Sequence, residues 1–174
     1  MADQLEAIKV TVDAALYAGF EGDDLIDAVA IAGAESRWRT DAENSRSSAT
    51  GLWQIAYDVW KNSLVAVGIL PERNKRRLLH EPHTNAMAAM FITQQGLARQ
   101  HGKWSDWAVH PDSKSRGFYT PNNDYSQYLE ISHEVILEVL GIGKGLNIAE
   151  GSSGLPRYVR VEDGKTITSD EMKR

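Results

Sequence analysis

Glu35 is the residue in this chain best placed to act as an acid. It stands at the end of a run in which Leu25, Ile26, Val29, Ile31 and Ala32 are separated by small residues, a pattern apolar on nearly every face that predicts a buried central helix. Burial without a cationic partner raises a carboxyl pKa. A Glu at the mouth of such a helix can therefore stay protonated near neutral pH and give its proton to a leaving group. The residue types leave two other roles open. Glu35 can be the first solvated residue beyond the helix, or an ion-pair partner of Arg37 or Arg39, because structural ion pairs perturb carboxylates as well.

The residues immediately after Glu35 narrow the choice. Ser36 comes next, then a loop rich in Asp, Asn, Ser and Thr over residues 40–50, then Gly51-Leu52-Trp53-Gln54-Ile55. This succession resembles the lysozyme-like superfamily of lytic transglycosylases and goose-type lysozymes, in which a catalytic Glu-Ser pair is followed after a short loop by Gly-Leu-Met-Gln. Trp53 stands where Met is usual and keeps a large apolar wall. The resemblance implies a mostly α (α+β lysozyme-like) fold: a helical domain around a central buried helix, with a small polar loop or β region. It also implies that Glu35 is the catalytic acid and that Ser36, Gly51, Trp53 and Gln54 bind substrate. Gly51 suits a positive φ or a close backbone approach, and Gln54 can donate and accept toward sugar amides or Glu35.

Three further positions carry over from the same family. Asn85 matches an Asn followed by small residues on a helix beside the substrate groove. Trp107, in Trp104-x-x-Trp107, matches a pair that precedes the last helix in phage members, and Tyr128 matches a tyrosine whose hydroxyl approaches the acid. Read as residues alone, each has a plainer role. The Met-rich stripe around Asn85 is core, the paired tryptophans are core plugs or a sugar platform, and Tyr128 is amphipathic core.

The reaction implied is cleavage of the β-1,4 bond between N-acetylmuramic acid and N-acetylglucosamine in peptidoglycan, with Glu35 protonating the glycosidic oxygen. In a lytic transglycosylase the same Glu35 then acts as base on the muramic C6 hydroxyl, giving 1,6-anhydro ends without a second carboxylate. In a hydrolytic muramidase a second acid positions water; Asp41 and Glu43 are the nearest in sequence, and inversion needs a separation of roughly 6.5 to 9.5 Å. The family pattern favours the first route. A rival from another class is a non-catalytic wall-binding or virion structural module on a lysozyme fold; retention of Glu35, Gln54 and Tyr128 favours the enzyme.

The elements that must hold these residues are mostly helical. Leu5, Ile8, Val12, Ala15 and Leu16 recur at helical spacing, so residues 3–18 read as an amphipathic helix stopped by Gly19. Asp23 or Asp24 can cap the central helix. Helices are expected over residues 57–67, over a short basic segment 71–79 started by Pro71, over 82–100 opened by Pro82, and over 122–140 ended by Gly141. The loop 110–123 is long for a connector, which suits a groove lip. Residues 1–141 form the expected catalytic domain. Residues 142–156 read as a flexible tether and 158–168 as a small hairpin around Asp163-Gly164, together a docking tail at 142–174.

Composition excludes several classes. The chain has 174 residues, 42% hydrophobic and 25% charged, with no cysteine, so one domain must stand on packing without disulfides or thiolate metal sites. A net charge of -5 argues against nucleic-acid binding. No apolar run is long enough for membrane insertion, and the start of the chain, broken by Asp3, Gln4, Glu6 and Lys9, has no signal core. His80, His83, His101, His110 and His133 make no HExxH spacing, so no metal or cofactor is called for. The expected partner is bacterial peptidoglycan, with other virion proteins at the tail. The expected setting is a bacteriophage particle, or release into the host periplasm or cell wall.

Overall fold

The computed structural model describes residues 2–141 and the strands Leu146–Glu150 and Pro156–Arg160. Five helices carry the domain: α1 (Ala2–Ala18), α2 (Gly22–Ser36), α3 (Tyr57–Ala66), α4 (Pro82–Ala98) and α5 (Tyr125–Leu140). Between α2 and α3, β1 (Ala49–Thr50) and β2 (Ile55–Ala56) form a two-stranded antiparallel ribbon with Ala49 opposite Ala56 and Thr50 opposite Ile55. The architecture is the mostly helical one expected, with a small polar β region.

Helix α2 is central because its sequence leaves it no solvated face. Every residue from position 25 to 33 is buried, and the helix packs against both α1 and α5, while α1 also packs on α4. One of those buried residues is a carboxylate, Asp27. Burying it costs several kcal/mol unless it is partnered, and the Tyr125 hydroxyl donates to it at 2.9 Å with His110 Nε2 at 3.5 Å. Burial and the adjacent Asp27 push the Tyr125 phenol far up, which keeps it protonated as a donor.

Gly33 lets the core close on α2. A Cβ there would lie 2.6 Å from Trp38 Cζ2 and 2.9 Å from Tyr128 Cδ1, inside van der Waals contact. Gly33→Ala is expected to push both rings outward and to cost about 1–3 kcal/mol, read as a lower urea midpoint. An unchanged midpoint would mean that the rings move aside freely.

Several boundaries differ from the sequence reading. No side chain caps α2: its first flanking residue is Glu21, without a cap hydrogen bond, so neither Asp23 nor Asp24 has that role. The expected helix at 71–79 is only a 3-10 turn, Arg76–His80; proline at the start permits a helix, but residues 71–75 are all exposed and bury nothing that would hold one. The final helix begins at Tyr125, three residues later than expected. In the tail, β3 (Leu146–Glu150) pairs antiparallel with β4 (Pro156–Arg160). This pairing is not the expected hairpin at 158–168: its strands lie on either side of residues 151–155, and β3 falls in the stretch read as tether. Asp163 and Gly164 lie outside the described residues.

Candidate active site

The helix that delivers Glu35 is held from behind by two indoles. Trp38 Nε1 donates to the carbonyl of Val29 at 2.9 Å, and Trp53 Nε1 donates to the neighbouring carbonyl of Ala28 at 2.8 Å. Both rings are fully buried. After Ser36 the chain turns sharply: Arg37 and Trp38 have φ of 53° and 59°, a left-handed conformation that costs non-glycine residues of order 1–3 kcal/mol each. Burial of the Trp38 indole against Gly33 holds that turn. It ends the helix one residue after Glu35 and leaves the carboxyl at the edge of the core.

Ala34 and Glu35 are the first half-buried residues of the helix after its fully buried stretch. Among the described residues no cation comes within salt-bridge distance of Glu35; Arg39 instead donates to the carbonyl of Ser36 at 3.2 Å. Burial therefore acts unopposed and pushes the Glu35 carboxyl up to about 7. Its place in the last turn, at the negative end of the helix dipole, acts in the same direction.

Two open concavities meet at Glu35. One, of 380 Å³, is lined by Glu35 with Gln54, Trp60, Asp106, Trp107, Arg116 and Phe118 among others. The second, of 490 Å³, is lined by Glu35 with residues from Thr120 to Asp124. Glu35 and Ala108 belong to both, so an extended chain can run across the acid, and each half suits a ligand of saccharide size. The long loop 110–123 is the lip: it gives Arg116 and Phe118 to one side and Thr120 to Asn123 to the other. Val59 and Phe118 leave apolar surface exposed beside the acid, suited to the apolar faces of pyranose rings. A separate concavity lined by Asp23, Asp27, Lys103 and His110 lies elsewhere along α2 and does not include Glu35.

The Lysozyme like domain family matches the chain over residues 12–108, more than half of its length and a span that holds the acid, the ribbon and α4. The chain belongs to the lysozyme-like domain family. No curated protein and no solved structure matches it significantly. Family membership points to the glycosidic bonds of peptidoglycan.

Within this lysozyme-like domain the expected substrate residues separate into two groups. Gln54 and Trp107 line the cleft with Glu35. The Gln54 amide nitrogen is spent inside the fold, donating to the carbonyls of Ala42 at 3.2 Å and Gly51 at 3.0 Å. Trp107 is nearly all core, and its Nε1 donates to the carbonyl of Trp53 at 2.9 Å.

The other expected contacts are packed into the fold and line neither concavity. Ser36 is buried and its hydroxyl donates back to the carbonyl of Ala32. Trp53 is a clamp, not a groove wall. Gly51, at φ 78°, is buried under Asn85 and the carbonyl of Leu79, where a Cβ would collide with both. Asn85 itself is fully buried: its Oδ1 accepts from the Trp53 amide at 2.9 Å, and its Nδ2 donates to the carbonyls of Thr50 at 2.9 Å and Leu79 at 2.7 Å. Both Nδ2 hydrogens and Oδ1 are engaged by backbone, and full burial leaves the amide no face toward a sugar. Tyr128 is half-buried and meets Trp38 edge to face at 5.3 Å; among the described residues no hydrogen bond joins its hydroxyl to Glu35.

Asp41 and Glu43 line neither concavity of the lysozyme-like domain. Both are exposed, and Glu43 faces His80 Nε2 at 3.0 Å. The carboxylates that do share the groove are Asp106 on one side and Asp124 on the other; the sequence drew attention to neither, and Asp106 was passed over in favour of its flanking tryptophans. Trp60, Arg116 and Phe118 were missed as well. Position between two buried aromatics is the one signal that could have drawn attention to Asp106.

Proposed function

We propose that this domain is a peptidoglycan lytic transglycosylase in which Glu35 is the lone catalytic acid and then the base. The observation that carries the reading is an unpaired carboxyl, raised to about 7 by burial, at the meeting point of two halves of an open groove. An acid poised near the operating pH can protonate the glycosidic oxygen between N-acetylmuramic acid and N-acetylglucosamine and accept a proton in the second step. Two carboxylates line the groove with Glu35: Asp106 in the half that holds Gln54, and Asp124 in the other. Asp106 has both oxygens engaged, Oδ2 by Arg99 Nη2 at 3.4 Å and Oδ1 by Arg116 Nη1. The nucleophile in this reading comes from the substrate, as the muramic C6 hydroxyl, and the exposed Asp124 is the groove carboxylate that a hydrolytic route would use instead.

Products test this directly. Fragments released from purified peptidoglycan are expected to carry 1,6-anhydromuramic ends, lighter by one water than hydrolysis products and free of solvent ¹⁸O. Reducing ends that take up ¹⁸O, together with an inactive Asp106→Asn or Asp124→Asn variant, would move the enzyme to the hydrolytic route. A setting in a bacteriophage, with the enzyme acting at entry or lysis and the 142–174 tail docking to other virion proteins, belongs to the same proposal. It is supported by the Trp104-x-x-Trp107 likeness to phage members, and proteomics of purified particles tests it.

A further inference from the structure

Arg116 is the one cation among the described residues lining the Glu35 cleft. It ends the 3-10 turn Pro111–Arg116 and is held on two sides: Nη1 donates to Asp106 Oδ1, and the guanidinium lies over the Phe118 ring, 5.1 Å from its centre. Asp106 and Phe118 line the same cleft. A guanidinium has five N–H donors, and Asp106 takes one of Arg116's. The Arg116 side chain keeps 29% of its surface exposed, so its other donors are not sealed in the core.

The charge count also leaves a cation over. Asp106 is shared between Arg116 and Arg99, so two guanidiniums face one carboxylate, an excess of one positive charge. Glu35 does not cancel it while protonated, the form that the proposed chemistry requires at the start of the reaction. Fixing the guanidinium in place also lowers the ordering cost of capturing a ligand.

The glycan backbone offers this cation little except one kind of group. N-acetylglucosamine is neutral; the fixed anions of peptidoglycan strands are carboxylates, either the lactyl carboxylate of muramic acid where the stem peptide has been removed, or those of the stem peptide where it remains. Arginine suits carboxylates through planar, charge-assisted hydrogen bonds.

We propose that Arg116 is a specificity-determining residue that binds a substrate carboxylate, making the groove selective for acidic, muramic-containing glycans over neutral N-acetylglucosamine polymers. This rests on the reading of the groove as a peptidoglycan site.

The test is calorimetric titration in the Glu35→Gln background, which keeps the glycans intact. The probes are a GlcNAc–MurNAc tetrasaccharide with free lactyl carboxylates, the same glycan with those groups as methyl amides, the same glycan bearing stem peptides, and the N-acetylglucosamine tetramer. Adding Arg116→Gln is expected to weaken binding of a carboxylate-bearing probe by about tenfold or more, in a salt-dependent way, while the amide and the neutral tetramer change less than twofold. Dependence confined to the free lactyl probe identifies that group as the ligand, and dependence confined to the peptide-bearing probe identifies the stem peptide. Arg116→Lys, which keeps the charge and lessens any risk to folding, should restore part of the preference. Arg99→Gln, which removes the second cation on Asp106 and with it the excess charge, should weaken the preference, but by less than Arg116→Gln because Arg116 stays in the cleft lining.

Equal weakening for charged and neutral probes, or none, would overturn the inference while leaving the groove a glycan site. Failure of all four probes to bind before Arg116 is changed would overturn both.

Discussion

Glu35→Gln is expected to lower turbidity clearing of purified peptidoglycan by a factor on the order of 10² to 10⁴ while the circular dichroism spectrum stays unchanged. Gln keeps the shape and loses the transferable proton. The parent enzyme should lose activity as pH rises through about 7, where the carboxyl gives up that proton. The same substitution should raise stability at alkaline pH, and the sign follows from linkage. Glu35 in the unfolded chain releases its proton near 4.5, whereas the folded protein holds it to about 7. The unfolded state therefore binds fewer protons between those values, and stability falls with pH across that window. Removing the group should restore on the order of 1–2 kcal/mol above pH 7, after allowance for its partial exposure. A dead variant with an unchanged pH–stability profile would show that Glu35 is not desolvated; an active variant would remove it from the chemistry.

Asn85→Ala is expected to be the most destabilising of the single changes considered. It strands the Trp53 N–H and the carbonyls of Thr50 and Leu79 in the core, and unsatisfied buried groups cost about 1–3 kcal/mol each. A total near 3–5 kcal/mol is a large part of the roughly 5–15 kcal/mol that holds a typical domain. Urea unfolding should show it as a much lower midpoint, with a smaller loss of turnover per folded molecule. A normal midpoint with lost activity would return Asn85 to the groove.

Glu35 and Asn85 mark how far the chain could be read before its structure. The setting of Glu35 was legible because an apolar run followed abruptly by a polar loop marks a buried helix reaching the surface; its role was not, since an ion pair or a solvated carboxylate fits the same residues. The helices α1, α2, α4 and α5 were legible for the same reason, since burial imposes a period on residue type. Asn85 was misplaced because residue type shows that an amide can donate and accept, but not whether its partners are sugar or backbone. Here they are backbone groups at positions 50, 53 and 79, which no local pattern brings together. Trp53 has the same ambiguity: an indole has an apolar body and one N–H, and both can be spent on packing α2. Arg116 and Asp106 lay on a loop without periodicity, so their meeting depended on a fold that composition does not encode. The segment 71–79 failed differently, because a good helix-starting proline cannot compensate for a face with nothing to bury.

The indole clamps on α2 also bear on how the molecule fails. Trp38 and Trp53 fasten consecutive carbonyls of the helix that carries Glu35, Trp53 is tied through its own amide to Asn85 on α4, and its carbonyl is held by Trp107. The acid therefore has no local melting transition available to it, because loosening its helix means pulling several buried rings out of the core. Elements anchored in this way open only with the global unit. On heating, catalysis, near-ultraviolet dichroism and the blue-shifted emission of the buried tryptophans should vanish in a single cooperative step, with full activity retained up to the edge of the transition.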